Sequence, residues 1–202
     1  MKAVVVGSGA VGAAVARTLR AHDHEVVSVG RTSGDYLADL TDIGSLRRLF
    51  EAIGEFAAVA CAAGDVFPAQ LEMSTDKQWT DSIAAKGRGQ IDLVRAALPH
   101  IADRGSFTLI SGVLGEEITA ACTIGATVNA MVEGFVVAAA TELPRGIRIN
   151  CVSPTVLAES PHFQPYFPGY PPVSAEDVAT AYLRAISNPF TGRILKLHKT
   201  NC

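Results

Sequence analysis

The sequence predicts an α/β fold: a doubly wound parallel sheet with helices on both faces, in three αβα layers. Three observations predict it. Short apolar segments alternate with amphipathic ones along the whole chain, the order expected of parallel βαβ units. The apolar segments are continuous rather than alternating in polarity, as strands buried on both faces require. The composition is 49% hydrophobic but only 6% aromatic, with 18 glycines among 202 residues, and small residues let helices lie close on a sheet. The length suits one unit of this kind. No linker, second core or internal repeat is visible, so residues 1–202 are read as a single domain.

The elements follow in order. Lys2 to Val6 is a β-branched run, the first strand. Ala10 to Ala21 carries Val11, Val15, Ala16 and Leu19 at helical spacing. Glu25 to Val29 is the second strand, ended by Gly30. Gly44 to Ile53 places Leu46, Leu49 and Phe50 on one side of a helix and Arg47, Arg48 and Glu51 on the other. Ala57 to Cys61 is a third strand, closed by Ala62-Ala63-Gly64. A long helix is predicted over Thr75 to Leu98, stopped near Pro99, and a fourth strand over Ser106 to Ile110. A second long helix runs from about Cys122 to Glu142 and ends at Leu143-Pro144, because proline restricts the residue before it. Arg148 to Val152 is a fifth strand. Leu157 to Pro172 is rich in proline and aromatics and has no period. Ser174-Ala175-Glu176-Asp177 opens the last helix with an N-cap and early carboxylates, and Arg193 to Leu197 is a final strand.

Charge and composition exclude several roles. The net charge of −3 comes without a basic block, so nucleic acid is not an expected partner. The first apolar stretch is short and runs into a glycine turn, which reads as a strand and not as a signal peptide. No apolar run is judged to approach the roughly 20 residues of a membrane span, and a cytoplasmic location is expected. Cys61, Cys122, Cys151 and Cys202 lack CxxC spacing and read as buried free thiols in a reducing compartment. His22 and His24 have no third ligand nearby, so no metal site is expected.

The strongest motif is Gly7-Ser8-Gly9-Ala10-Val11-Gly12, a GxGxxG turn between a strand and a helix, the context a dinucleotide site of the Rossmann type requires. Gly7 permits the tight turn, Gly9 lets the backbone approach a pyrophosphate, and Gly12 lets helix and strand pack closely. Ser8, Ala10 and Val11 complete the loop and the helix N-terminus, whose amides face the phosphates. The end of the second strand separates NAD from NADP. An acidic residue there would hold a free ribose hydroxyl; this sequence has Arg31-Thr32-Ser33 instead. A guanidinium pairs with a phosphate, and the hydroxyls add donors, so NADP(H) is the expected cofactor.

With these residues in view, the chain resembles the short-chain dehydrogenase/reductase family over nearly its whole length. Asp39-Leu40-Thr41-Asp42 is similar to the family's acidic motif that contacts the adenine. Cys61-Ala62-Ala63-Gly64 resembles its Asn-Asn-Ala-Gly turn, with Ala63-Gly64 retained. Leu109-Ile110-Ser111-Gly112 resembles the strand that bears its catalytic serine. Arg148 to Pro154 resembles the strand before its nicotinamide-packing motif, which places Pro154, Thr155 and Val156 at the cofactor. The resemblance implies a hydride-transferring enzyme with a small-molecule substrate, a substrate lid over residues 157–173, and a homodimer or homotetramer built on the two long helices.

The sequence departs from the family where the proton relay belongs. Asn129-Ala130-Met131-Val132-Glu133-Gly134-Phe135 resembles the stretch that begins at the relay lysine, so Asn129 stands for that lysine and Gly125 for the tyrosine. No tyrosine occurs between Tyr36 and Tyr166, so no shift of register restores it. Lys86 falls where the family has its relay asparagine. Ser111 alone remains of the four. The expectation is therefore an NADP(H)-dependent oxidoreductase with a non-standard proton donor, Ser111 and Lys86 being the candidate catalytic residues and Asn129 a candidate ribose ligand. A non-enzymatic NADP(H)-binding protein and a non-redox enzyme on the same fold are the alternatives. Further candidates around the opening are Glu116, Glu117, Cys122, Thr123 and His162, with Phe163, Tyr166, Phe167 and Tyr170 as walls of an apolar pocket.

Overall fold

The computed structural model describes residues 1–64 and 66–197. The elements run β1 (Lys2–Val6), α1 (Ala10–Ala21), β2 (Glu25–Gly30), β3 (Tyr36–Leu37), α2 (Ile43–Ile53) and β4 (Phe56–Cys61). They continue with α3 (Asp76–Ser82), α4 (Gly89–Ala97), β5 (Ile101–Ile110), α5 (Thr123–Glu142), β6 (Arg148–Pro154), α6 (Ala175–Ser187) and β7 (Ile194–Leu197). All strands lie in one seven-stranded sheet of order β3-β2-β1-β4-β5-β6-β7, and every pairing is parallel. The α/β doubly wound expectation holds.

The sheet is covered on both faces because successive side chains point opposite ways. Val4 and Val6 of β1 and Val59 and Cys61 of β4 enter one core with Leu46 and Phe50 of α2, Leu93 of α4 and Val132 of α5. Ala3, Val5, Ala58 and Ala60 face the other side, against Val11, Val15 and Leu19 of α1 and Val178 and Tyr182 of α6. Alanine at Ala3, Ala58 and Ala60 brings those helices close enough for the Tyr182 hydroxyl to donate to the Cys61 carbonyl at 2.5 Å.

Some boundaries differ from the sequence reading. The short edge strand β3 was not foreseen; it is too short to carry a pattern. The strand expected to begin at Ser106 begins at Ile101, with a register break between Phe56 and Ala58 of its neighbour. Arg104 sits there at φ 61, and such a kink hides the strand's early half from a search for apolar runs. The helix expected over 75–98 is interrupted: α3 passes into a π-helical stretch, Ile83–Arg88, before α4. Contrary to the expectation, α5 is long and apolar enough to match a membrane span by length and composition, with 20 residues of hydropathy 1.4. In the fold its Ile124, Val128, Val132 and Val136 are buried, and Val132 and Val136 belong to the core beneath the sheet. Cys61, Cys122 and Cys151 are buried and unbridged; Cys202 lies outside the described residues.

Candidate functional site

The chain winds outward from β1 to β3 on one side of the sheet, and from β4 onward on the other. The switch between β1 and β4 opens a crevice at their carboxyl ends, where open sheets of this kind hold ligands. Gly7 leaves β1 at φ +121, and a Cβ there would stand 2.7 Å from the Ala62 carbonyl oxygen, so the two turns touch at the switch point. Gly12 is closer still: a Cβ would lie 1.8 Å from the Gly7 oxygen. Its role is helix packing, as the motif predicts. Gly9 faces open space, with no atom within 4 Å of such a Cβ. α2, α3 and α6 are capped by Asp42, Thr75 and Ser174 side chains, whereas no side chain caps α1 or α5. These two helices both start at the crevice.

The crevice has two compartments that share Gly64. The first is lined by Gly7, Ser8, Gly9, Arg31, Thr32, Asp39, Leu40, Ala62 and Ala63, among others. It gathers most of the residues expected at the adenosine and phosphates. Ala10, Val11 and Gly12 stand behind its wall, and Ser33 does not line it. Val11 and Gly12 are buried under the helix; Ser33 turns away into the exposed loop before β3. The Thr41 amide and hydroxyl bond the Asp39 carboxylate at 2.9 and 2.8 Å. These bonds, with the Arg31 charge nearby, hold the Asp39 carboxyl below its usual range.

The second compartment, about 300 Å³, is bounded by Lys86, Ser111, Cys122, Gly125, Asn129, Pro154, Thr155 and Val156, with Phe67, Leu114, Phe163, Tyr166 and Phe167 as apolar walls. Of the wider candidates, Cys122 reaches it. Tyr170 stacks edge-on against Phe167 outside it, His162 packs on Phe163, and Glu116 is paired with Lys196. Thr123 and Glu117 do not line it. Residues 157–173 leave and rejoin the body at a bridge between Leu157 and Val173, so they form a flap with a closed neck over this compartment.

Ser111 is 3% exposed and braced from several sides. The Gln90 side chain copies a neighbouring strand: its Oε1 accepts from the Ile110 amide at 2.9 Å and its Nε2 donates to the Ile110 carbonyl at 2.8 Å. The Ser111 amide donates to the Val152 carbonyl at 3.0 Å. Lys86, carried on the π-helical stretch, donates from Nζ to the Ser111 carbonyl at 2.9 Å. The Ser111 hydroxyl donates to Glu133 Oε1 at 2.6 Å. Beneath this group, burial pushes the Cys151 thiol up to about 12. In the sequence Glu133 is marked only as a member of the stretch that begins at Asn129. The signal that finds it is the one charged residue in the interior of a largely apolar helix, on the same face as Asn129.

Asn129, 3% exposed, donates from Nδ2 to the Gly112 carbonyl at 3.2 Å. Its Oδ1 and the Thr155 Oγ1 are buried without a hydrogen-bond partner among the described residues. A buried polar atom left unmet costs about 1–3 kcal/mol, and both residues line the compartment.

With this geometry in hand, comparison with known proteins is informative. A sequence model described as enoyl-(acyl carrier protein) reductase, adh_short_C2, matches residues 6–186. The protein lin1944 from Listeria innocua is 37% identical, superposes with a TM-score of 0.94, and the match covers 97% of this chain and 98% of that one. The chain belongs to the short-chain dehydrogenase/reductase family. A small-chain dehydrogenase solved in complex with NADPH is 27% identical, with a TM-score of 0.88 over 98% of this chain and 96% of that one. A short-chain dehydrogenase/reductase from Serratia marcescens, 21% identical with a TM-score of 0.83 over 97% of this chain and 95% of that one, shares the fold. No curated protein matches the chain. The expected family, whose members are generally oxidoreductases, is thereby established.

Proposed function

We propose that the protein is an NADP(H)-dependent short-chain reductase that acts on a small, largely apolar substrate and works without the family's tyrosine and lysine. The observation that carries this reading is one crevice with a phosphate-binding turn and Arg31 at one end and two orphaned buried atoms, Asn129 Oδ1 and Thr155 Oγ1, at the other. Those atoms fit a ribose hydroxyl and a carboxamide, and Gly9 leaves room for a pyrophosphate. The NADPH held by a relative that is 27% identical supports the choice of cofactor.

In this reading Gly7, Ser8, Gly9 and the α1 N-terminus, where Ala10, Val11 and Gly12 begin the helix, bind the phosphates. Arg31 and Thr32 take the 2′-phosphate, Asp39 and Leu40 border the adenine, and Ala62, Ala63 and Gly64 floor the ribose. Asn129, Pro154, Thr155 and Val156 orient the nicotinamide ribose and ring. When bound, the cofactor supplies a hydride. Lys86 holds Ser111 by its carbonyl and brings a positive charge to the pocket. The flap over residues 157–173 excludes water, and Phe163, Tyr166 and Phe167 set the apolar shape.

Gly125 offers no acid where the family has its phenol, and a phenol in that role contributes typically about 10²–10⁴-fold. The substrates best served are therefore those whose double bond is already polarised. The same vacancy favours a second reading, a non-catalytic NADP(H)-binding protein. A homodimer or homotetramer through α4 and α5 also belongs to this proposal, since α5 leaves Val137 54% exposed and the neighbouring π-helical stretch leaves Ile83 37% exposed.

The test is a titration of NADPH and NADH by fluorescence with wild type and Arg31→Ala, followed by NADPH consumption with panels of imines, enones and ketones. The reading requires NADPH to lose far more affinity than NADH, and it requires turnover. Equal losses overturn the cofactor assignment. Tight NADPH binding without consumption of any substrate supports the second reading.

A further inference from the structure

We infer that Ser111 and Glu133 together form a hydrogen-bond-accepting pole at the reacting end of the pocket, and that the substrate is a protonated imine. The inference rests on the NADP(H) reading above and narrows it.

A serine hydroxyl has one hydrogen and two lone pairs. The Ser111 hydrogen is given to Glu133 Oε1 at 2.6 Å, and a carboxylate has none to return. Toward the pocket, which Ser111 lines and Glu133 does not, the hydroxyl therefore offers only lone pairs. A ketone oxygen needs donors there and finds none from Ser111. A group that carries its own hydrogen, C=N–H⁺, finds an acceptor backed by a negative charge.

Three features agree with a cationic nitrogen. Gly125 and Asn129 leave the α5 wall of the pocket with neither a phenol nor an ammonium. Lys86 approaches the same serine from its carbonyl side, while Glu133 takes the hydroxyl hydrogen, so Ser111 stands between an ammonium and a carboxylate rather than beside an ammonium alone. Phe67, Phe163, Tyr166 and Phe167 surround the space, and aromatic faces attract cations.

The chemistry balances without a protein acid. The iminium carbon gains a hydride, the C=N π pair becomes the nitrogen lone pair, and the resulting amine later takes a proton from water; the nicotinamide, the electron source, ends oxidised. The missing tyrosine is then the expected state of a site whose substrate arrives protonated.

The test separates recognition from turnover. Calorimetry measures the binding of tetrahydroisoquinolinium, the ammonium product of a cyclic iminium, against its neutral ketone isostere tetralone, in wild type, Glu133→Gln and Ser111→Ala. Wild type is expected to prefer the ammonium. Glu133→Gln, whose amide can donate to Ser111 and free the hydroxyl hydrogen, is expected to lose about tenfold or more of that preference, and to gain on the ketone in NADPH-consumption assays. Ser111→Ala loses the preference without the gain. Dihydroisoquinoline reduction by wild type slows as pH rises and the imine deprotonates. An unchanged preference in Glu133→Gln, equal binding of both probes by wild type, absence of imine reduction by NADPH-loaded protein, or oxidation of alcohols in place of imine reduction overturns the inference. NADPH titration of the same samples shows whether the cofactor reading has failed instead.

Discussion

Gly12→Ala and Gly9→Ala differ by one methyl group each and sit in one turn, yet the structure assigns them different consequences. At Gly12 the new methyl would stand 1.8 Å from the Gly7 carbonyl oxygen and 2.7 Å from its carbon. Ordinary contact lies near 3.5 Å, so the helix and turn would have to part by roughly 1.5 Å. The helix cannot simply retreat, because Val11, Ala14, Val15 and Leu19 are buried on its inner face. Overpacking of this kind costs about 1–3 kcal/mol, which in a chain of this length lowers Tm by roughly 2–10 °C. At Gly9 the backbone is extended, φ −77 and ψ −173, a conformation alanine adopts, and the methyl meets nothing. Stability there changes by less than about 1 kcal/mol, while the methyl occupies the space through which a pyrophosphate approaches. Differential scanning calorimetry and NADPH titration of both variants check the pair. Gly12→Ala should lose stability and cofactor affinity together; Gly9→Ala should lose affinity, by about tenfold or more, with its melting unchanged. A Gly12→Ala protein that melts with wild type refutes the packing argument, and a Gly9→Ala protein that binds NADPH normally refutes the pyrophosphate assignment.

Other outcomes follow from the same structure. Tyr182→Phe removes the donor from the buried Cys61 carbonyl and should cost about 1–3 kcal/mol, read as a shift in the urea midpoint without a change in slope. Burial pushes the Cys61 and Cys151 thiols up to about 12, so neither should react with a thiol reagent at mild alkaline pH until the protein unfolds; labelling of the native protein at either position contradicts that burial. The Ser28 hydroxyl and amide hold Asp35, and the Thr41 amide and hydroxyl hold Asp39, below the ordinary carboxylate value. Their stabilisation is present above about pH 4 and is lost as pH falls through the depressed values, so Asp35→Asn/Asp39→Asn should be less stable than wild type at neutral pH, with the gap closing in acid. Installing Gly125→Tyr with Asn129→Lys should create or raise carbonyl reduction if the helix register is right. The phenol must displace the Leu114 side chain, 3.2 Å from a Cβ at Gly125, and no gain in a folded, NADPH-binding variant counts against the register.

Most of the fold was legible because its signals are local. β1, α1 and the glycine turn are written in contiguous residues whose spacing has one structural meaning, and the cap at Ser174 reads directly from its side chain. Ile101 to Gly105 was missed because the strand kinks where its apolar run is broken, and the π-helical stretch at Ile83–Arg88 carries no local signature. The half of the crevice around the glycine turn was legible for the same reason as the turn. The Ser111 surroundings were not: Lys86, Gln90 and Glu133 come from the π-helical stretch, α4 and α5 in turn and meet at Ser111 only through the tertiary fold, so the sequence shows that Ser111 is present but not which way its hydrogen points. Glu133 sits in a helix that is otherwise apolar, and the cost of placing a carboxylate there was the one clue.

The side chain of Gln90 takes the place of a peptide group at the end of β5, and this has a consequence for how such a site changes over time. The backbone at Ile110 and Ser111 is held by Gln90 and by the β6 backbone, with Lys86 as a further support at the Ser111 carbonyl. The end of β5 is thus held by backbone and amide contacts in which the α5 side chains take no part. A change of side chain at Gly125 or Asn129 therefore alters the lining of the pocket without loosening the end of β5, so the centre can keep its aim while the groups facing it change.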